Sequence, residues 1–146
     1  MEELLSQPTD NAPLPTLFQR VSTLHRLLDA QPTRLQPSQL EAALHLCRSC
    51  HAAVRAADLF SANEDAEDLA TPHIKYLLPP FFLAELLSSC PSTPSGSDGS
   101  STHTTAGPAQ RLALVEEASR LYTAFLDSCE QYGMLGTVGK QLYSLE

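Results

Sequence analysis

The stretch LFSANEDAEDLATPHIKYLLPPFFLAELL, residues Leu59–Leu87, decides the fold that this sequence predicts. Its second half, Tyr76–Leu87, is the densest apolar run of the chain, and Thr71-Pro72 stands just before it. A capping side chain followed by proline at the first helical position is typical of a helix start. We therefore predict a helix from Pro72, with an apolar face at steps of three and four. That face consists of Ile74, Leu77, Leu78 and Phe81.

Two prolines interrupt this predicted helix. Pro79 and Pro80 each lack an amide donor, and their rings clash with the preceding turn, so we expect the helix to bend or restart there. The helical segment after them should end near Cys90-Pro91.

Amphipathic segments with the helical period of about 3.6 residues lie on both sides of this stretch. One helix is predicted from Pro15 to Pro32, a second from Pro37 to about Asp58, and a third from Pro108 to Gly133. The predicted buried residues of the first helix are Leu14, Leu17, Phe18, Val21, Leu24 and Leu28, with Leu27 broadening the set. Those of the second are Leu40, Ala43, Leu44, Cys47, His51 and Val54. Those of the third are Leu112, Val115, Ala118, Tyr122, Phe125 and Cys129, with Leu114 and Leu121 broadening the set. Helices joined by short connections form antiparallel hairpins, so the sequence predicts an all-α fold.

The predicted organisation is one helical domain, residues 13–146, after a disordered lead at residues 1–12. Residues 91–107, PSTPSGSDGSSTHTTAG, consist almost wholly of Pro, Ser, Thr and Gly. Such a segment cannot bury enough apolar surface to offset the entropy lost on ordering, so we predict a disordered insert there.

Composition excludes several classes of function. The 146 residues carry a formal charge of −8, and the nine Lys and Arg are scattered, which argues against a nucleic-acid-binding protein. No secretory signal is visible, and the Tyr76–Leu87 run is only about half of the roughly 20 residues that a membrane span needs. We expect a soluble monomer in the cytoplasm and also the nucleus, with reduced cysteines and no membrane or nucleic-acid partner.

Cys47-Arg48-Ser49-Cys50-His51 has the spacing of a haem-attachment motif. A haem would use both thiols and an iron-ligating His51, and a zinc site would need further Cys or His ligands. Cys47 and Cys50 instead lie three residues apart inside a predicted amphipathic helix, which favours ordinary core cysteines. A metal- or haem-binding helical protein is the alternative that these residues leave open, although we predict no cofactor and no metal.

No catalytic constellation is visible, because the chain lacks G-x-S-x-G, a phosphate-binding glycine loop and H-E-x-x-H. We therefore predict a protein that is not an enzyme but binds another protein. Lys75 and Tyr76, at the edge of the predicted apolar face, are the first candidates for partner binding. Arg111 and Arg120 are further candidates, since Arg is favoured at interfaces.

Three segments of the chain resemble the alpha-four family of type 2A phosphatase-associated proteins, also called the immunoglobulin-binding-protein-one family. The central match runs in fixed order through LFSxNE from Leu59, EDLxT from Glu67 and KYLLxPFFLAEL from Lys75. Weaker matches are LPxLF from Leu14 and FLxxCExYG from Phe125.

The resemblance implies a right-handed, tetratricopeptide-like stack of helix hairpins. It also implies a scaffold that binds the catalytic subunit of type 2A-like Ser/Thr phosphatases and keeps it stable and inactive in nutrient-responsive TOR signalling. In this family the binding domain continues into basic helices with an Arg and Lys pair, whereas residues 134–146 contain only Lys140 as a cation. We thus expect an amino-terminal fragment that folds but binds the phosphatase weakly. A generic helical peptide-binding adaptor is a further alternative.

Overall fold

The computed structural model describes residues 1–30, 35–61, 67–90, 107–137, 139 and 141. These residues form helices and no strand, which confirms the all-α fold. The α-helices are α1 (Glu2–Ser6), α2 (Leu14–Ala30), α3 (Pro37–Ala57), α4 (Pro79–Ser88) and α5 (Pro108–Gln131), and a 3-10 helix covers Thr71–Leu77. The right-handed, tetratricopeptide-like stack stays a prediction. The predicted insert lies outside the described residues except for Gly107, as do residues 62–66 and the end of the first predicted helix at Pro32.

Prolines start three of these helices. Pro37, Pro79 and Pro108 each occupy the first position of an α-helix, where the missing amide would have had no partner within the helix. The Pro79-Pro80 pair therefore restarts the helix, which confirms that prediction. Beyond α5, Gly133 adopts a left-handed conformation with φ of 63°, as expected of a glycine that follows a helix.

The segment before Pro79 is a 3-10 helix and not the predicted α-helix. Its turns close over three residues, from His73 N to Ala70 O and from Leu78 N to Lys75 O. Because a 3-10 helix has three residues per turn, the side chains take a different phase from the one predicted. Tyr76 and Leu77 are buried, whereas Ile74 is 37% exposed, so its placement in the core was wrong.

The core is built around α4, which contacts α2, α3 and α5. The buried residues of this core are apolar and come from α2, α3, α4 and α5. In that order they are Leu17, Val21 and Leu24; Ala43, Leu46, Cys47 and Cys50; Leu83, Ala84, Leu86 and Leu87; and Ala118. On α3, Leu46 and Cys50 are buried and His51 only half-buried, because α1, α2 and α4 all pack against this helix and cover more of it than one face. A second, smaller cluster joins Leu69 and Leu77 to Tyr132 beyond the end of α5.

The predicted buried faces were partly wrong, both on α2, where Leu27 is 42% exposed, and on α5. Leu112 is 59% exposed and Val115 is 42% exposed, whereas Leu114 and Leu121 pack against the core beside the buried Ala118. The helix is rotated from the predicted orientation because Arg111 faces α4, where it hydrogen-bonds backbone carbonyls. Leu114, Ala118 and Leu121, which follow Arg111 at steps of three and four residues beginning with a step of three, then face inward.

Residues 1–12, expected to be a disordered lead, begin with α1. Its apolar side chains pack against the core, and α1 contacts α3. Arg20 of α2 is only 6% exposed. Its guanidinium donates hydrogen bonds of 2.8–3.1 Å to the carbonyl oxygens of Leu4, Gln7 and Pro8. These bonds satisfy carbonyls that a helix end leaves without partners, and they fasten the lead to α2.

Candidate protein-interaction surface

Lys75 lies on the surface over two aromatic rings. Its Nζ is 5.5 Å from the centroid of the Phe18 ring and 5.1 Å from that of the Tyr76 ring. An ammonium in this position is attracted by the negative faces of the rings, with about 0.5–1 kcal/mol at an exposed site. The side chain is thus an exposed cation whose position is restricted by α2 and the 3-10 helix together.

Tyr76 lies beneath this cation and is only 6% exposed. Its ring meets Phe18 edge-on, with 5.2 Å between ring centroids and 83° between ring planes, an arrangement favoured by the ring quadrupoles. Lys75 and Tyr76 are therefore in contact but have different roles. Tyr76 supports Lys75 from below, and Lys75 is the residue of the two that a partner would meet.

Further rings continue from Phe18 across α4. Phe82 is 6.4 Å from Phe18 and 4.6 Å from the His25 ring, and Phe81 is 5.4 Å from Phe125 of α5. These contacts tie α2, α4 and α5 together directly behind the surface that carries Lys75. Phe81 and Phe82 of the KYLLxPFFLAEL motif thus pack on two sides of α4, Phe81 against α5 and Phe82 against α2.

Arg111 uses its donors within the protein. Its guanidinium nitrogens donate to the carbonyl oxygens of Cys90 and Ser88 at 2.9 Å and of Leu87 at 3.2 Å. These carbonyls lie at the carboxyl end of α4, where a cation also complements the helix dipole. Arg111, near the start of α5, therefore joins this helix to the end of α4 by hydrogen bonds.

Arg120 is exposed on the outer side of α5. The exposed apolar residues Leu112 and Val115 precede it on the same helix. No described contact brings Arg120 next to Lys75, so the four residues predicted for partner binding do not form one cluster. Their partner-binding roles stay predictions, with Lys75 and Arg120 as the two that the structure leaves accessible.

The Cys47 and Cys50 thiols lie in the core, 2% and 0% exposed. Burial raises the pKa of each thiol to about 12, and for Cys47 the neighbouring Cys50 adds to the rise. Burial and the nearby Arg55 lower the pKa of His51. Haem addition and zinc binding both need reactive or ionised thiols, which this environment disfavours. Within the described ranges, no group of three or more His, Cys, Asp or Glu is arranged to hold a metal ion.

In the part of the chain that the structure describes, no helix combines the length and apolar content needed to cross a membrane.

Comparison with known proteins gives one family. A family model described as the TAP42-like family matches residues 14–146. The PP2A regulatory subunit TAP46 of Oryza sativa subsp. japonica is 39% identical over 74 residues, which is 51% of this chain and 17% of the rice protein. The proteins of the same name from Nicotiana tabacum and Arabidopsis thaliana are 34% identical over 74 residues and 32% identical over 77 residues.

The aligned segment covers 51% of this chain for the tobacco protein and 53% for the Arabidopsis protein, and 18% of each of those proteins. The chain thus matches less than a fifth of the length of these curated relatives. No solved structure matches the chain significantly.

Proposed function

The chain belongs to the TAP42-like family, and from this premise we propose that it is a non-catalytic regulatory scaffold for type 2A-like Ser/Thr protein phosphatases. The observation that carries the proposal is the family match over residues 14–146, together with relatives named as PP2A regulatory subunits. The scaffold binds the phosphatase catalytic subunit and stabilises it outside the usual holoenzyme.

Two exposed cations support a surface that contacts a partner. Lys75 and Arg120 are exposed cations on an otherwise acidic chain of formal charge −8. Exposed cations of this kind select and orient a partner through complementary carboxylates. In the proposal, Lys75 contacts acidic groups of the catalytic subunit. Tyr76 and Phe18 hold the ammonium in place beneath it.

We also propose a cytoplasmic and nuclear location and a place in nutrient-responsive TOR signalling. Both rest on the family resemblance alone. A generic helical peptide-binding adaptor is the less specific alternative, because the family match and the names of the relatives favour a phosphatase scaffold.

The test is binding of the full chain to purified phosphatase catalytic subunit, measured by biolayer interferometry. We expect saturable binding that Lys75→Glu weakens by about five- to tenfold, because the substitution replaces an attraction by a repulsion. Lys75→Arg should bind within about twofold of the original chain, because it keeps the charge over the rings.

Arg26→Glu is the matched control, since Arg26 is an exposed cation of α2 and the charge change is the same. It should leave binding unchanged. If Lys75→Glu binds as well as the original chain, Lys75 is not part of the interface. If the original chain shows no binding to the catalytic subunit, the scaffold proposal itself is wrong.

A further inference from the structure

A groove of about 220 Å³ opens between α2 and α4, with α3 contributing to its lining. Apolar side chains line most of it, including Leu24 and Leu28 from α2 and Phe82 and Leu86 from α4. An apolar cavity of roughly 150 Å³ is large enough to bind benzene, so this groove has room for one large aliphatic or aromatic side chain.

The groove also carries two carboxylates, Asp29 on α2 and Glu85 on α4, both of them exposed. Tyr122 Oη donates to Glu85 Oε1 at 2.7 Å, which holds this carboxylate in place. Burial, and after it this hydrogen bond, raise the pKa of Tyr122, so the tyrosine stays a donor at neutral pH. Among the described residues that line the groove there is no Lys or Arg.

This combination of an apolar channel and two carboxylates, on a chain of formal charge −8, specifies the chemistry of an occupant. We propose that the groove between α2 and α4 binds a peptide segment of a partner protein that inserts a leucine-like side chain and flanks it with arginine or lysine. Apolar anchoring with charged residues at the edge is a recurring mode of peptide recognition.

The longest run outside the described residues does not have this chemistry. Residues 91–106 contain no leucine, aromatic residue, lysine or arginine, and their one ionised side chain at neutral pH is that of Asp98. An acidic and apolar-poor segment is not complementary to an acidic, apolar groove. Residues 91–106 are therefore excluded as the occupant, and the proposal commits to a segment of another molecule.

The proposal does not depend on the phosphatase assignment, since Lys75, Tyr76 and Phe18 do not line the groove and the test uses no phosphatase. The probe is the synthetic peptide GSRLLRSG, titrated into the nitrogen-15-labelled full chain while backbone amide chemical shifts are followed by NMR. We expect saturable shifts in α2 and α4 around His25 and Phe82. The peptides GSRSSRSG and GSELLESG, which lack the apolar anchor or reverse the charge, should bind at least about tenfold more weakly.

Asp29→Lys should weaken binding of GSRLLRSG by about three- to tenfold at low salt, and Asp29→Asn by less. Both variants should fold, because Asp29 is exposed and its carboxylate accepts no described hydrogen bond. Glu116→Lys is the matched control, since Glu116 is an exposed acid on α5 that does not line the groove. It should bind like the original chain.

Three results would overturn the proposal. The first is the absence of saturable shifts, and the second is equal binding of the leucine-free peptide or of Asp29→Lys. The third is much tighter peptide binding by a Leu142→Ser variant, which would mean that the carboxyl-terminal residues of the chain occupy the groove. In all three cases the phosphatase binding experiment would still give its own independent answer.

Discussion

At the scale of single residues, two arginines fasten helix ends in this protein. Arg111 reaches three carbonyl oxygens at the end of α4, and Arg20 reaches three carbonyl oxygens in and just after α1. A planar guanidinium with five donors suits this task, because the last four carbonyls of a helix point away from it without partners. Each arginine therefore acts as a carboxyl-terminal cap supplied by a different helix.

Arg111→Met tests this role, because methionine keeps much of the length of the side chain but removes every donor. We expect the free energy of unfolding to fall by about 2–3 kcal/mol, since hydrogen bonds from a charged donor are lost. Urea denaturation followed by circular dichroism measures the change. Arg120→Met, on the exposed side of the same helix, should change stability by no more than about 0.5 kcal/mol. Equal losses in the two variants would contradict the capping role.

At the scale of elements, the structure differs from the sequence-based prediction in the orientation of α5 about its own axis. Leu112, Val115 and Leu114 are all apolar and all lie near the start of α5, but only Leu114 packs against the core. A helix with apolar residues on two faces has two plausible orientations, and hydropathy alone does not choose between them. The hydrogen bonds of Arg111 to the end of α4 favour the observed one.

Paired substitutions distinguish the two orientations. Changing Leu112 and Val115 together to glutamine should alter the melting temperature very little, because both side chains already face solvent. Leu114→Ala should lower the free energy of unfolding by about 1–2 kcal/mol, which is less than for a fully buried leucine because Leu114 is only partly buried. A larger loss from the Leu112 and Val115 pair than from Leu114→Ala would show that α5 is oriented as the sequence pattern predicts.

At the scale of the whole molecule, the core contains thiols that must remain protonated. Burial raises the pKa values of Cys47 and Cys50 from an ordinary value of 9.0 to about 12. Below pH 9 the folded and unfolded chains both hold these protons, so the stabilisation from packed thiols is complete. As the pH rises from 9 towards 12, the unfolded chain releases its protons first, so the free energy of unfolding falls.

Denaturant unfolding of the full chain at a series of pH values above and below 9 measures this fall. A Cys47→Ala and Cys50→Ala double variant is the control. It should be less stable at neutral pH but should lose less stability with rising pH than the original chain. Tyr122, whose pKa burial also raises, accounts for part of the loss that remains in the variant. If both chains lose stability equally, the thiols do not ionise on unfolding as argued.

Much of this architecture follows from local patterns in the sequence. The all-α class, the helix starts at Pro37 and Pro108, the restart at Pro79-Pro80 and the glycine beyond α5 all depend on backbone chemistry within a few residues. Lys75 could likewise be singled out as an exposed cation next to an apolar face. Residue type determines local backbone geometry directly, which is why the predicted helix starts, the restart and the glycine are confirmed, whereas the partner-binding role of Lys75 stays a prediction.

The tertiary structure alone decided which residues face one another. The caps made by Arg20 and Arg111 join residues 12 to 24 positions apart, and no periodicity reveals such a pairing. The groove between α2 and α4 exists only because two helices leave a gap that side chains do not fill. These features depend on the relative placement of helices, which is set by the combined packing and hydrogen bonding of the whole chain. The sequence determined the helices, and only their mutual packing determined the surfaces offered to a partner.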